Sequence, residues 1–118
     1  MSALALGIDV GTSAVRGALL DADGTTTAFA AAPAFRADAR RDPSAWRDGL
    51  ADVFSALAGK APLDRVGAVA VDGTSGTMLA LDRAGAPLGT ALLYNDPVED
   101  PAIARAIAEA APRESAAH

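Results

Sequence analysis

The feature that most constrains the fold is the segment 4–16 (LALGIDVGTSAVR), in which a short apolar run breaks at a polar turn and then resumes. The run before Asp9 is too short for a helix and predicts a buried strand. Gly11 allows the backbone to fold back closely, so that the amides and hydroxyls of Thr12 and Ser13 can converge on an anion. Asp9 can hold a hydrated magnesium ion, which prefers oxygen ligands. The segment therefore predicts a phosphate-binding turn, with an ordinary Asp-x-Gly hairpin as the alternative.

The residues after this turn distinguish between classes of phosphate site. Neither the Gly-Lys-Ser/Thr of a P-loop nor Gly-x-Gly-x-x-Gly is present, and no helix is predicted to follow. Residues 15–20 are again apolar, the turn 21–24 (DADG) comes next, and residues 25–31 predict a third strand. A strand, a Gly-Thr-Ser turn and an antiparallel return strand are typical of the phosphate-clamping hairpin of the sugar kinase, actin and Hsp70 superfamily.

Composition limits the classes of protein that the chain can represent. Its 118 residues allow one ordinary domain, and 21% charged with 51% hydrophobic residues indicate a globular protein. A net charge of −5 without a clustered basic face disfavours a nucleic-acid partner. The arginines at 36, 40 and 41 are interpreted as part of a solvated loop. The absence of cysteine fits a reducing cytoplasm, and the sequence contains neither a signal peptide pattern nor an apolar run long enough for a membrane span.

The remaining pattern predicts an α/β architecture. Asp42 and Pro43 are a helix cap and first residue, and the apolar stripe from Trp46 to Leu57 predicts packing against the sheet, Phe54 included. Residues 66–71 predict a fully buried strand ending at Asp72, whose carboxylate is a candidate for hydrogen bonding the turn that follows. Residues 78–81 and 88–94 predict two further strands around the turn 82–85, and residues from 101 to Pro112 predict a second helix.

Three segments together resemble the amino-terminal domain of the FGGY carbohydrate kinases. They are residues 7–16 (GIDVGTSAVR), 71–77 (VDGTSGT) and 93–96 (LYND). The first is similar to the Asp-x-Gly-Thr-Thr/Ser-x-x-Arg signature of the family, and the third to its Trp-x-Asp, with Tyr94 in place of Trp. The second carries Ser75 and Gly76 where xylulokinases have Met-His, which looks like the D-ribulose kinase branch. The resemblance implies an incomplete ribonuclease H-like domain of the actin/hexokinase/Hsp70 superfamily, with a mixed sheet, β-hairpins and flanking helices.

The resemblance also implies an activity, namely ATP-dependent phosphorylation of a sugar hydroxyl on a pentulose such as D-ribulose or D-xylulose. Its cofactors would be ATP and Mg²⁺, and its partners the sugar and the nucleotide, with no nucleic acid or membrane and with a homodimer as one option for the full-length form. The implied roles are magnesium binding through water for Asp9, phosphate binding for Gly11, Thr12, Ser13 and Arg16, and sugar binding for Ser75, Gly76 and Asp96. Asp9 and Thr12 are the implied catalytic residues.

The expected domain organisation is a partial kinase domain over residues 1–112 and a loose tail over 113–118. Family members are several times longer, and the second domain, with the adenine pocket and the aspartate that deprotonates the sugar, has no counterpart here. We therefore expect little or no kinase activity from this polypeptide alone. One alternative is a noncatalytic module that binds phosphate or sugar, or docks on a chain supplying the missing half. Another is a ribonuclease H-like two-metal nuclease using Asp9 and Asp72.

Overall fold

The computed structural model describes residues 3–114, which form a four-stranded sheet, two α-helices and two short 3-10 helices. The strands are β1 (Leu4–Val10), β2 (Val15–Leu20), β3 (Thr26–Ala31) and β4 (Val66–Gly73). The α-helices are α1 (Pro43–Ala58) and α2 (Pro101–Ala110), and the 3-10 helices are Ala37–Ala39 and Leu63–Arg65. Most of the predicted loose tail, including His118, lies outside the described residues.

The strand order β3-β2-β1-β4 makes this a mixed sheet, as the sequence predicts. The hairpins place β1 antiparallel to β2 and β2 antiparallel to β3, whereas β4 returns through α1 to lie parallel to β1. Parallel neighbours end at the same edge of a sheet, so the turns that follow β1 and β4 are brought together. Asp9 and Asp72 are register partners inside these strands, not the residues that follow them.

The core lies between one face of the sheet and α1. Its largest fully buried side chains are Val15 and Leu19 from β2 and Val53 and Leu57 from α1. The helix begins as predicted, because the Asp42 carboxylate accepts a hydrogen bond from the Ser44 amide at 2.8 Å.

The two aromatic residues of α1 do not pack against the sheet, which corrects the prediction for them. Phe54 is 37% exposed, and Trp46 is half-buried at the border of a cavity near the start of the helix. The sheet contacts come from the smaller residues of the stripe, because the helix lies close to β2. Aromatic size therefore does not predict which residues of this stripe enter the core.

The prediction of a fully buried fourth strand is wrong. Val69 and Val71 are 59% and 68% exposed, and no residue of β4 is buried. The reason is positional: α1 packs on β2 and β3, and within residues 3–114 β4 has a strand neighbour on its β1 side alone. An apolar strand sequence indicates that a strand is suited to burial. It does not indicate that the elements that would bury the strand lie within residues 3–114.

The predicted strands at 78–81 and 88–94 are also wrong, although their turn is correct. The two segments meet at isolated bridges, Met78 with Leu92 and Leu81 with Pro87. Between them, Asp82 Oδ1 accepts hydrogen bonds from the amides of Ala84 and Ala86, as Asp21 Oδ1 does from Asp23 and Thr25. The sequence echo between residues 18–24 and 79–85 therefore reflects shared turn chemistry. The second hairpin lacks a paired ladder.

We expect Gly17→Ala to destabilise the fold, because a Cβ at position 17 would lie 2.6 Å from Val53 Cγ1 and 3.1 Å from Leu57 Cδ1. Overpacking of this kind costs about 1–3 kcal/mol in the free energy of unfolding. Urea denaturation followed by circular dichroism measures it. Gly7→Ala is the matched control, because the same added methyl group would meet no atom within 4 Å. Equal stability of the two variants would contradict the close approach of α1 to β2.

Candidate functional site

Two polar turns meet at the edge of the sheet where β1 and β4 end. The Thr12 and Thr74 hydroxyl oxygens lie 2.9 Å apart, within hydrogen-bond distance, and the Thr74 amide donates to the Val10 carbonyl at 3.2 Å. Both turns therefore reach the same edge of the sheet. The two Gly-Thr-Ser tripeptides, at 11–13 and 73–75, are joined through their threonines.

The turn 11–14 requires glycine at its first position. The Gly11 amide donates to the Ala14 carbonyl at 3.0 Å, and a Cβ at position 11 would lie 2.8 Å from Arg16 Nη1 and 3.1 Å from that carbonyl oxygen. The Ser13 carbonyl accepts a 2.7 Å hydrogen bond from the Phe35 amide, which fixes the outer part of the turn. Thr12 and Ser13 are exposed, so their hydroxyls can reach a ligand.

Asp9 and Arg16 form an ion pair on the face of the sheet opposite α1. They are partners in the β1–β2 register, and Arg16 Nη1 donates to Asp9 Oδ2 at 2.6 Å. Their side chains are 45% and 41% exposed, respectively, so that solvent screens the pair and a ligand can reach both groups. The structure thus brings a carboxylate and a guanidinium together beside the turn.

Asp72 lies next to Asp9 across the parallel pair of strands, and both border a shallow cavity of about 400 Å³ on this face. Asp72 Oδ1 accepts a hydrogen bond from the Gly73 amide at 2.8 Å, as the turn interpretation predicts. Among residues 3–114 there is no cluster of three or more metal-ligating side chains. Mg²⁺ nevertheless fits the donor set here, because it is commonly held by one or two carboxylates, water and substrate phosphates.

A second cavity, of about 180 Å³, adjoins the paired turns on the α1 side. Its walls include Thr12, Thr74 and Trp46, and the Trp46 indole N–H donates to the Arg40 carbonyl at 3.1 Å. Arg40, Trp46, Thr74 and Thr77 line this cavity, although sequence reasoning did not assign them to the site. The repeated Gly-Thr-Ser tripeptide could have indicated that Thr74 belongs to the site. Trp46 was instead assigned to the apolar stripe of α1 that packs in the core.

Ser75 and Gly76 lie in the exposed turn after β4 and do not border either cavity. Gly76 has a φ of +78°, and a Cβ there would approach the Tyr94 Cβ to 3.1 Å. The turn and the loop carrying Tyr94 are therefore in close contact. Of the predicted sugar-binding residues, Ser75 presents a hydroxyl to solvent at the same edge as Thr12.

Asp96 is bound by protein groups. The Arg41 guanidinium donates to both carboxylate oxygens, and the Leu93 amide donates to Oδ2 at 2.8 Å. These hydrogen bonds, with Arg41 first, lower the pKa of Asp96 from its ordinary value of 3.8 to about 2. Arg41 lies in an exposed turn, as the sequence predicts, and its side chain also joins two segments 55 residues apart.

The contribution of Asp96 to the stability of the fold should be lost at low pH. A lowered pKa in the folded state means that stability from this pair is fully present above pH ~4 and is lost as the pH falls towards 2, since the unfolded chain takes up the proton first. We expect the difference in unfolding free energy between the parent and Asp96→Asn to shrink over that range. Urea titrations at several pH values measure it, with Asp38→Asn, from the exposed Arg36–Asp38 pair, as control. A pH-independent difference would contradict the assignment.

Within residues 3–114, neither α-helix has the length and apolar character that a membrane-spanning helix needs.

No protein-family model matches the chain. A curated xylulose kinase of Arthrobacter sp. (strain NRRL B3728) is 36% identical over 94 residues, which are 79% of this chain and 94% of that sequence. The solved xylulose kinase of Bifidobacterium adolescentis is 29% identical with a TM-score of 0.75, covering 92% of this chain and 21% of that one. The gluconate kinase of Lactobacillus acidophilus shares the fold at 21% identity and a TM-score of 0.63, covering 91% and 22%.

The chain thus spans about a fifth of the length of these solved kinases. Its mixed sheet and flanking helix match the amino-terminal, ribonuclease H-like domain of sugar kinases. The identity to the curated relative extends over most of both sequences. On this evidence the chain belongs to the FGGY carbohydrate kinase family.

Proposed function

We propose that this chain is the phosphate- and sugar-contacting part of a kinase that transfers a phosphoryl group from ATP to a hydroxyl of a pentulose. D-Xylulose is the first candidate substrate because relatives of the chain are xylulose kinases, and D-ribulose is the second. The observation on which the proposal rests is the junction of two Gly-Thr-Ser turns through Thr12 and Thr74, beside the Asp9 carboxylate. A cytoplasmic location would suit such substrates and a cysteine-free chain.

Asp9 would hold Mg²⁺ through water in this proposal. Asp9 uses Oδ2 for Arg16, and Asp72 uses Oδ1 for the Gly73 amide, so within the described residues each carboxylate keeps a second oxygen for water or metal. When bound, the metal would neutralise nucleotide phosphate charge. Arg16 is placed beside this carboxylate and would pair with a phosphate oxygen, because a guanidinium matches phosphate geometry.

Thr12 and Ser13 would hold the transferred phosphoryl group. Both are exposed, and the turn beneath them is fixed by the Gly11–Ala14 and Phe35–Ser13 hydrogen bonds. A prearranged set of donors contributes to phosphoryl transfer because that reaction depends mainly on positioning and charge stabilisation. Ser75, on the neighbouring turn, would donate to a sugar hydroxyl, with Gly76 giving the turn its left-handed backbone.

The general base and the adenine site are expected in the part of a kinase that this chain does not span. We therefore propose that the 118 residues alone have little or no kinase activity and that they act together with the rest of a kinase, in the same polypeptide or as a partner. A noncatalytic module that binds phosphate or sugar is the second candidate, favoured by the same exposed turns.

A chimera tests the proposal. In the Bifidobacterium adolescentis enzyme, the matching 21% is replaced by this chain, and ADP release is measured with ATP, Mg²⁺ and D-xylulose or D-ribulose. We expect turnover by the chimera and none by the chain alone. A chimera that melts cooperatively and binds ATP, yet turns over neither sugar, would contradict the catalytic proposal. Sugar binding by the chain alone, measured calorimetrically, would then support the noncatalytic module.

We expect Asp9→Asn in the chimera to lower kcat by about 100-fold or more, because a preorganised electrostatic group is lost. The fold should persist, since the ion pair with Arg16 is half-exposed. Asp23→Asn, in the exposed turn after β2, is the matched control and should keep the parent kcat. Equal turnover of the Asp9→Asn and Asp23→Asn variants would refute the role of Asp9.

Ser75→Ala should mainly weaken sugar binding. Loss of one hydrogen bond worth about 1 kcal/mol raises the KM for the sugar about fivefold and leaves the KM for ATP unchanged. Steady-state kinetics of the chimera measure both constants. Ser55→Ala, on the exposed side of α1, is the control. An unchanged sugar KM would remove Ser75 from the sugar site.

A further inference from the structure

Arg41 and Asp96 connect the start of α1 to the loop 91–96. The guanidinium holds the carboxylate with two parallel hydrogen bonds, a geometry that fixes orientation as well as distance. The backbone adds a further contact, because the Ala91 amide donates to the Arg41 carbonyl at 2.9 Å. Ala91 is buried, so the loop is held at its beginning and at its end.

The same loop supports the turn after β4. Met78 and Leu92 exchange two backbone hydrogen bonds of 2.9 Å each. Tyr94 lies against Gly76 so closely that a side chain at position 76 would have to displace it. The turn that carries Thr74 and Ser75 therefore packs on a loop whose own position depends on the ion pair.

A continuous series of contacts thus runs from Arg41 to the phosphate-binding turn. It passes through Asp96, the loop 91–96 and the turn 73–77, and it ends at the Thr74–Thr12 hydrogen bond. Asp96 accepts three hydrogen bonds from protein groups, which leaves little capacity for a sugar hydroxyl.

We propose that Arg41 and Asp96 are positioning residues that hold the turn 73–77, and with it Ser75, in place for the sugar. This rests on the proposed function for the identity of the ligand, but not for the mechanical role of the pair. The proposal gives Asp96 a role through Arg41 in place of the direct sugar contact that the resemblance implies. It also gives a function to the arginine before Asp42, which the sequence alone assigned to a solvated loop.

The mechanical role is tested by amide hydrogen exchange on the 118-residue chain. In Arg41→Gln we expect exchange at Met78 and Leu92 to accelerate about tenfold, because their mutual hydrogen bonds open locally. Exchange in β1, β2 and α1 should remain at the parent rate. Arg36→Gln is the matched control, since Arg36 pairs with Asp38 two residues away and both side chains are more than 70% exposed.

The link to the sugar is tested with D-xylulose, titrated calorimetrically into the chain and used as substrate for the chimera. Arg41→Gln and Asp96→Asn should each raise the Kd or KM for the sugar about three- to tenfold, and the double variant should be no worse than either single one. Arg41→Lys, which keeps the charge and loses the fork, should recover part of the affinity. The KM for ATP should not change.

The outcomes separate the two proposals. Faster exchange at Met78 and Leu92 supports the positioning role even if the parent chain and the chimera bind no sugar. The absence of sugar binding would contradict the proposed function and leave the positioning role intact. Parent-like exchange in Arg41→Gln, or an unchanged sugar KM in an active chimera, overturns the positioning role. Uniformly faster exchange throughout the Arg41→Gln chain also overturns it, because the pair would then support the whole fold and not one loop.

Discussion

The parallel pairing of β1 with β4 is the constraint on which the candidate site depends. The hairpins alone would give a three-stranded antiparallel sheet with one polar turn beyond β1. The return of the chain through α1 sets Asp72 beside Asp9 and Gly73 beside Val10. The turns that follow these residues are therefore in contact with each other. The Thr12–Thr74 contact is a consequence of that register, so a slip of β4 by one residue would separate the hydroxyls and place Asp72 on the opposite face of the sheet from Asp9.

Local chemistry accounts for the parts of the fold that could be predicted from sequence. The Asp42 cap, the Asp-x-x-Gly turns and the glycine at position 11 follow from hydrogen bonds and steric limits within a few residues. The exposure of β4 could not be predicted, because burial depends on which other elements pack against the strand. Val69 and Val71 have the sequence of core residues and the exposure of surface residues for this reason. The isolated bridges between residues 78 and 92 could not be predicted from the local sequence either.

The candidate site also contains a part that follows from local sequence and a part that depends on long-range contacts. Asp9, Gly11, Thr12, Ser13 and Arg16 lie in one continuous segment, and their proximity follows from a single hairpin. Arg41 and Asp96 are separated by 55 residues, and neither has a spacing that indicates the other. A long-range ion pair on partly exposed side chains leaves no periodic signal, so the sequence did not indicate that Arg41 and Asp96 contact each other.

Trp46 is the only tryptophan in the chain, and its indole ring borders the cavity next to Thr12 and Thr74 with its N–H fixed on a backbone carbonyl. Its fluorescence therefore comes from a single, oriented emitter at the junction of the two turns. Changes in the polarity of that junction should appear as a shift in the emission maximum without any added label. The side chain that a periodic pattern assigns to the core is thus a built-in optical reporter for this edge of the sheet.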